Sequence, residues 1–267
     1  MRRTASDTYA VERIQPQLLA PPWVVCEELR VWYPRTIIAR GILGAVLVGP
    51  MLASRSARAE QETYPAVEVN RKDLINIDVR TFGIVASESG PVNYYRFVES
   101  PSGTFVRAEY VPPSATSVLG YEIPDEYKRK VASIRWRWRA LVLPRGGNEC
   151  APKVADSAAV LYVTWRRGLR WYTLKYVWSA DAPKGVTCDS RRNLFSAQDT
   201  IVVESGAPLG EWKSVEIDPD KEFRAHFAHG DPAADVPKLL GIGIMTDGDQ
   251  TNSPSSADYG GFSLTVR

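Results

Sequence analysis

The chain has 267 residues, with 33 lysines and arginines against 31 acids and a formal net charge of +2. Eight of the arginines, no lysine and four of the acids lie before Glu60, so the 208 residues from Glu60 on carry 25 basic and 27 acidic groups. That net of −2 removes most of the support for nucleic acid as the main partner, and 208 residues suffice for one sizeable core.

Residues 41–53 (GILGAVLVGPMLA) form an apolar run of 13, preceded by Arg35 and Arg40. A membrane-spanning helix needs about 20 apolar residues. Ala57-Arg58-Ala59 follows the run with the small-residue pattern of a cleavage site. We therefore expect a leader over 1–59 with its signal peptide at 36–59, cleavage after Ala59, and a single domain over 60–267 without a membrane span. The segment ahead of the run is long, which means either an extended n-region or a translation start downstream of Met1. The expected location is periplasmic or secreted.

From Glu60 the text is strand-like and broken by turns. Residues 92–98 (VNYYRFV) and 104–111 (TFVRAEYV) flank Pro101-Ser102-Gly103, and Pro112-Pro113 ends the second run. Residues 134–141 (IRWRWRAL) alternate strictly. In a strand, Ile134, Trp136, Trp138 and Ala140 share one face, and Arg135, Arg137 and Arg139 share the other. A helix would scatter both sets and bury arginines, so the strand reading wins and the two indoles belong in a core. Residues 158–165 (AAVLYVTW) and 171–178 (WYTLKYVW) form a hairpin through Arg166-Arg167-Gly168. Residues 200–204, 212–217, 239–246 and 259–266 supply the remaining strands.

Residues 218–229 (DPDKEFRAHFAH) read as the one convincing helix, with Asp218 at the N-cap, Pro219 in the first position and Gly230 as the stop. About ten short strands and one short helix describe an all-β fold, an antiparallel two-sheet β-sandwich of jelly-roll type.

Cys150 and Cys188 are the only cysteines from Glu60 on and sit in segments read as loops. An even pair in an exported chain points to a disulfide, with two buried thiols as the alternative.

The arginine face has two readings. Successive same-face side chains lie about 7 Å apart, where like charges in water repel by only about 0.6 kcal/mol. Three solvated arginines therefore need no anion, and pairing with Asp or Glu would also account for them. The ligand-binding reading groups Arg135, Arg137 and Arg139 with Tyr162, Lys175 and Tyr176 on one concave sheet suited to an acidic or neutral sugar.

Residues 246–253 (TDGDQTNS) place oxygen-bearing side chains at Asp247, Asp249 and Thr251. That spacing in a glycine-containing loop could wrap a calcium ion, although Asp-rich loops more often only turn the chain. His226 and His229 fall three apart on the helix, where exposed histidines at a C-terminus are the commoner case. The sequence contains no nucleophile elbow, HExxH, P-loop or complete GxGxxG. Glu204 with Glu211, or Asp247 with Asp258, are the carboxylate pairs that glycoside chemistry could use.

The ordered set Ile134-Arg135-Trp136-Arg137-Trp138, Asp156-Ser157-Ala158-Ala159-Val160-Leu161-Tyr162-Val163, Tyr176-Val177-Trp178, Val202-Val203-Glu204-Ser205-Gly206, Gly210-Glu211-Trp212, Phe223-Arg224 and residues 241–249 (GIGIMTDGD) resembles a bacterial exported family, domain of unknown function 3047. The resemblance spans roughly residues 131–262. It implies a sandwich similar to galactose-binding or lectin-like modules and no established activity. The expected function is ligand binding without turnover, with a glycan of the cell envelope as the partner. A jelly-roll glycoside hydrolase or polysaccharide lyase, and a structural envelope protein without a small ligand, are the alternatives.

Overall fold

The computed structural model describes residues 11–13, 73–85 and 94–267. Two sheets hold β1 (Val11–Arg13), β2 (Leu74–Asn76), β3 (Gly83–Val85), β4 (Tyr95–Val98), β5 (Phe105–Tyr110), β6 (Val118–Glu122), β7 (Val131–Val142), β8 (Ser157–Arg167), β9 (Arg170–Ser179), β10 (Thr187–Arg192), β11 (Ser196–Ser205), β12 (Lys213–Ile217), β13 (Lys238–Met245) and β14 (Ser255–Val266). The first sheet runs β1-β4-β5-β14-β7-β12, with β2 also on β14; the second runs β10-β11-β9-β8-β13-β6-β3. They face each other as a jelly-roll-like β-sandwich.

The alternation in β7 sets the first sheet's orientation. Ile134, Trp136, Trp138 and Ala140 are each 0% exposed. Trp136 meets Trp138 edge to face at 5.7 Å and Tyr176 of the second sheet at 5.6 Å, and Trp138 meets Trp178 at 6.3 Å. These rings hold the two layers together, because aromatic side chains carry large buried area and favour tilted contacts. Tyr259 of β14 crosses the same core, and its hydroxyl donates to the Met245 carbonyl at 2.5 Å.

Helix α1 (Pro219–Phe227) forms where the sequence signals it: the Asp218 carboxylate accepts from the amides of Asp220 and Lys221. Its Phe223 and Phe227 dock on Trp165 and Tyr172 and close one end of the core. Past it, Gly230 takes a positive φ of 77° and donates its amide to the Arg224 carbonyl.

A second apolar layer covers the outer face of the second sheet. Val160, Val177, Val202, Met245 and Ala182 pack there. Because both faces of this sheet are covered, β8 and β9 carry apolar residues on both sides, unlike β7.

Several expectations change. The described residues form fourteen strands rather than about ten; the additional ones include β2, β3, β6 and β10, which are short or polar. The β9–β11 pair is parallel, with Thr173 opposite Gln198, so the second sheet is mixed. Cys188 lies in β10 rather than in a loop. The expected leader, its apolar run and the cleavage site fall outside the described residues, apart from Val11–Arg13, whose backbone pairs with β4. Among the described residues no helix is long and apolar enough to cross a membrane.

Candidate functional site: the outer face of the first sheet

Register places a polar row across the outside of the first sheet. Arg96 of β4 is opposite Arg107 of β5, Arg107 is opposite Asp258 of β14, and Asp258 is opposite Arg139 of β7. Asp258 is 0% exposed and takes both guanidinium groups. Arg107 donates from Nε at 2.7 Å and Nη2 at 2.8 Å, and Arg139 donates from Nε at 2.7 Å. Arg96 pairs with Glu109 on the rim.

The next row is aromatic and cationic. Gly260 lies opposite both Phe105 and Arg137. Trp212, just before β12, brings its ring within 5.5 Å of Phe105. The Arg137 guanidinium sits 5.0 Å from the Trp212 ring centre, and that of Arg139 sits 4.8 Å from it. Such stacking contributes about 0.5–1 kcal/mol at a partly exposed site. Gly261 sits within β14 at the register shift beneath this row. Its φ is +61°, and a Cβ there would lie 3.1 Å from Arg137 Cδ.

Arg135, at the exposed end of the row, pairs with Glu216 of β12 at 2.5 Å. The Arg135 hydrogen bond is the main reason that the Glu216 carboxyl is held below its ordinary value. Arg137 differs from its neighbours: among the described residues no carboxylate or carbonyl accepts from its guanidinium. The face thus gathers five arginines against three carboxylates, with one half-buried guanidinium uncommitted beside an indole. Sequence reasoning missed Trp212 and Phe105 as parts of this face, and the signal available was only the Gly210-Glu211-Trp212 wording.

The grouping with Tyr162, Lys175 and Tyr176 is corrected. β7 belongs to the first sheet and β8 and β9 to the second, so Arg135, Arg137 and Arg139 share no surface with them. Tyr176 is 2% exposed and points into the core, where it meets Trp136 and donates to Glu222 at 3.0 Å. Tyr162 and Lys175 face outward from the second sheet but lie under the segment 143–156. Lys175 donates to Glu149 at 2.9 Å, and both side chains are nearly fully buried. Burial opposes the charge on Lys175, yet Glu149, together with Tyr162 and Asp247, outweighs it and raises the ammonium above its ordinary value. Burial raises the Tyr162 phenol.

Beside this ion pair lies the acidic cluster. Carboxylate oxygens of Asp156, Asp247 and Asp249 all lie within 4.8 Å of one another. Asp247 Oδ1 accepts from the Ser157 amide at 2.7 Å, and Asp156 accepts from the amides of Gln250 and Thr251. Burial and then the charge of Glu149 push the Asp247 carboxyl well above its ordinary value; burial and then Asp156 raise Asp249. Thr251, expected as a third oxygen donor, instead shares its hydroxyl with Ser253 at 2.7 Å. Asp156, far upstream in sequence, takes its place. Gly248 is required in this loop, because a Cβ there would fall 2.0 Å from the Ser253 carbonyl oxygen.

The Cys150–Cys188 disulfide is present, with Cα atoms 5.3 Å apart, and ties the covering segment to β10. His226 holds Asp199 through Nδ1 at 2.8 Å. Asp258 is enclosed by Arg107 and Arg139, whereas Asp247 lies in the loop after β13 with Asp156 and Asp249. Glu204 pairs with Lys184 and Glu211 with Lys213.

The fold and this face define a jelly-roll-like β-sandwich with a buried-carboxylate arginine clamp and an arginine–aromatic platform. Residues 87–263 match the family described as protein of unknown function (DUF3047), and the chain belongs to that family. No curated protein matches the chain. Among solved structures, the family 11 carbohydrate-binding module of the cellulosomal cellulase Lic26A-Cel5E of Clostridium thermocellum is similar at 12% identity and a TM-score of 0.37, over 70% of this chain and 88% of its own. The xyloglucanase domain of NopAA, a type three effector from Sinorhizobium fredii, is similar at 9% identity and a TM-score of 0.37, over 70% of this chain and 98% of its own. Endoglucanase 3 of Trichoderma harzianum is similar at 10% identity and a TM-score of 0.34, over 79% of this chain and 100% of its own. Scores this low carry no argument about function.

Proposed function

We propose that the chain is an exported module, periplasmic or secreted, that binds a glycan without turnover, and that the outer face of the first sheet takes an acidic sugar. The observation that carries this reading is Arg137, a half-buried guanidinium on an indole whose donors are committed to no protein acceptor among the described residues. Arg fits planar bidentate recognition of a carboxylate, and an adjacent ring suits the apolar face of a sugar. Arg139 and Arg107, fixed by Asp258, hold further positive charge in place at little entropic cost on binding.

The enzymatic alternative finds less support on this face. A glycosidase needs two carboxyl groups flanking the bond it cleaves. Here Asp258 is fully buried between two arginines, and Glu109 and Glu216 are paired with Arg96 and Arg135. A glycan array on the purified protein tests the proposal. Uronic-acid oligosaccharides should be retained above neutral ones, and retention should weaken with salt. Release of shortened sugars from any retained glycan would contradict the reading.

A further inference from the structure

We propose that Asp156, Asp247 and Asp249, together with the Ser157 hydroxyl beside them, bind a calcium ion. The site is built from the start of β8 and the loop after β13, shares no residue with the arginine face and is independent of the function proposed for it.

Three carboxyl groups bring oxygens within 4.8 Å of one another. No lysine or arginine makes an ion pair with any of the three among the described residues, since the nearby Lys175 is taken by Glu149. Acidic clusters alone are common, so the polar groups around this one decide the matter. Ser157 is 0% exposed and its hydroxyl has no hydrogen-bond partner. Its cross-strand partner is Ser179, so their side chains share a face. The Ser179 hydroxyl reaches the Gly147 carbonyl of the covering segment at 3.2 Å, which directs Ser157 into the same layer. The Ser157 amide already holds Asp247 Oδ1 at 2.7 Å.

Glu149, near enough for its charge to act on Asp247, adds a further orphan oxygen next to the cluster. Its side chain is 1% exposed, one oxygen holds Lys175, and the other, Oε1, has no partner. A buried carboxylate oxygen and a buried hydroxyl left unmatched beside three carboxylates form an unsatisfied set whose members are all oxygen atoms. Leaving such groups buried and unpaired is unfavourable. A hard divalent cation satisfies them together, and calcium takes six to eight oxygen ligands in an adaptable geometry. The cysteines of this region are joined to each other, so no thiolate is available for a softer metal. The ion would tie β8, the covering segment and the loop after β13 at one point.

Thermal unfolding of the full chain in EDTA and in millimolar calcium chloride tests the proposal, with calorimetric titration of calcium chloride into the EDTA-treated, dialysed protein. Calcium should raise the midpoint by about 5–10 °C if its concentration is near a hundred times the dissociation constant. Asp249→Asn keeps the shape of an exposed side chain and removes one charge. It should stay folded and lose most of the calcium-dependent shift, with calcium affinity at least about tenfold weaker. Arg137→Ala should keep the full response. Identical curves in EDTA and calcium with no heat of titration would overturn the proposal, as would an undiminished response in Asp249→Asn.

Discussion

Arg137 stacks on Trp212 at 5.0 Å, one strand away from a carboxylate, Asp258, that Arg107 and its neighbour Arg139 occupy between them. The two arginines share a strand face and differ in what they do: Arg139 is built into the sheet, and Arg137 is left available. On the proposed reading, this difference divides the face into a structural half and a half that binds.

The structural half predicts a large effect at Asp258. Asp258→Asn leaves two guanidinium groups facing each other without their carboxylate. Breaking a buried pair costs about 3–5 kcal/mol. Urea unfolding should show a loss of that order, and a change below about 1 kcal/mol would mean that the clamp is dispensable.

The core predicts a graded series at Trp138. Trp138→Ala should cost about 3–5 kcal/mol through lost burial and the cavity left behind. Trp138→Phe should cost much less, because the indole Nε1 has no hydrogen-bond partner to lose. Equal losses in the two variants would contradict the packing described.

How much of this was legible follows from the same residues. The alternation from Ile134 to Leu141 placed Trp136 and Trp138 inward, since a sheet with one solvated face imposes a period of two. Asp218, Pro219 and Gly230 marked the helix because caps are local. Strand neighbours are not local: β7 and β8 follow each other in sequence yet lie in different sheets, which is why Tyr162 and Lys175 could not be kept with the arginines. Tyr176 was ambiguous because β9 is covered on both faces, so Lys175 and Tyr176 look equally placed in the sequence. Asp156 and Trp212 join their clusters only through tertiary contacts, and nothing in their own neighbourhoods announces it.

The disulfide predicts a covalent link between peptides containing Cys150 and Cys188 in non-reducing maps. With a sequence separation of 38, loop-entropy arguments give a stabilisation of up to about 4 kcal/mol. Reductant should therefore lower the melting temperature. Free thiols at both positions in protein purified without reductant would refute the link.

Acid stability should depend on Asp199. Burial alone would raise its carboxyl, but hydrogen bonds from Arg192, Ser190 and His226 outweigh burial and hold it below its ordinary value. A depressed folded-state value means that Asp199 contributes stability above the unfolded value of 3.8. That contribution is lost as pH falls through the lower folded value. Asp199→Asn should lower stability at neutral pH and flatten the decline below about pH 4. An unchanged acid limb would mean that other carboxylates set it.

The most direct test of the binding claim measures stability and affinity on the same Arg137→Ala protein, with a uronic-acid oligosaccharide and its neutral counterpart as probes. The account predicts a melting temperature within about 2 °C of the parent and affinity for the acidic sugar at least about tenfold weaker at low salt, with the neutral sugar affected less. A clearly destabilised variant whose folded fraction binds the acidic sugar as well as the parent would contradict it.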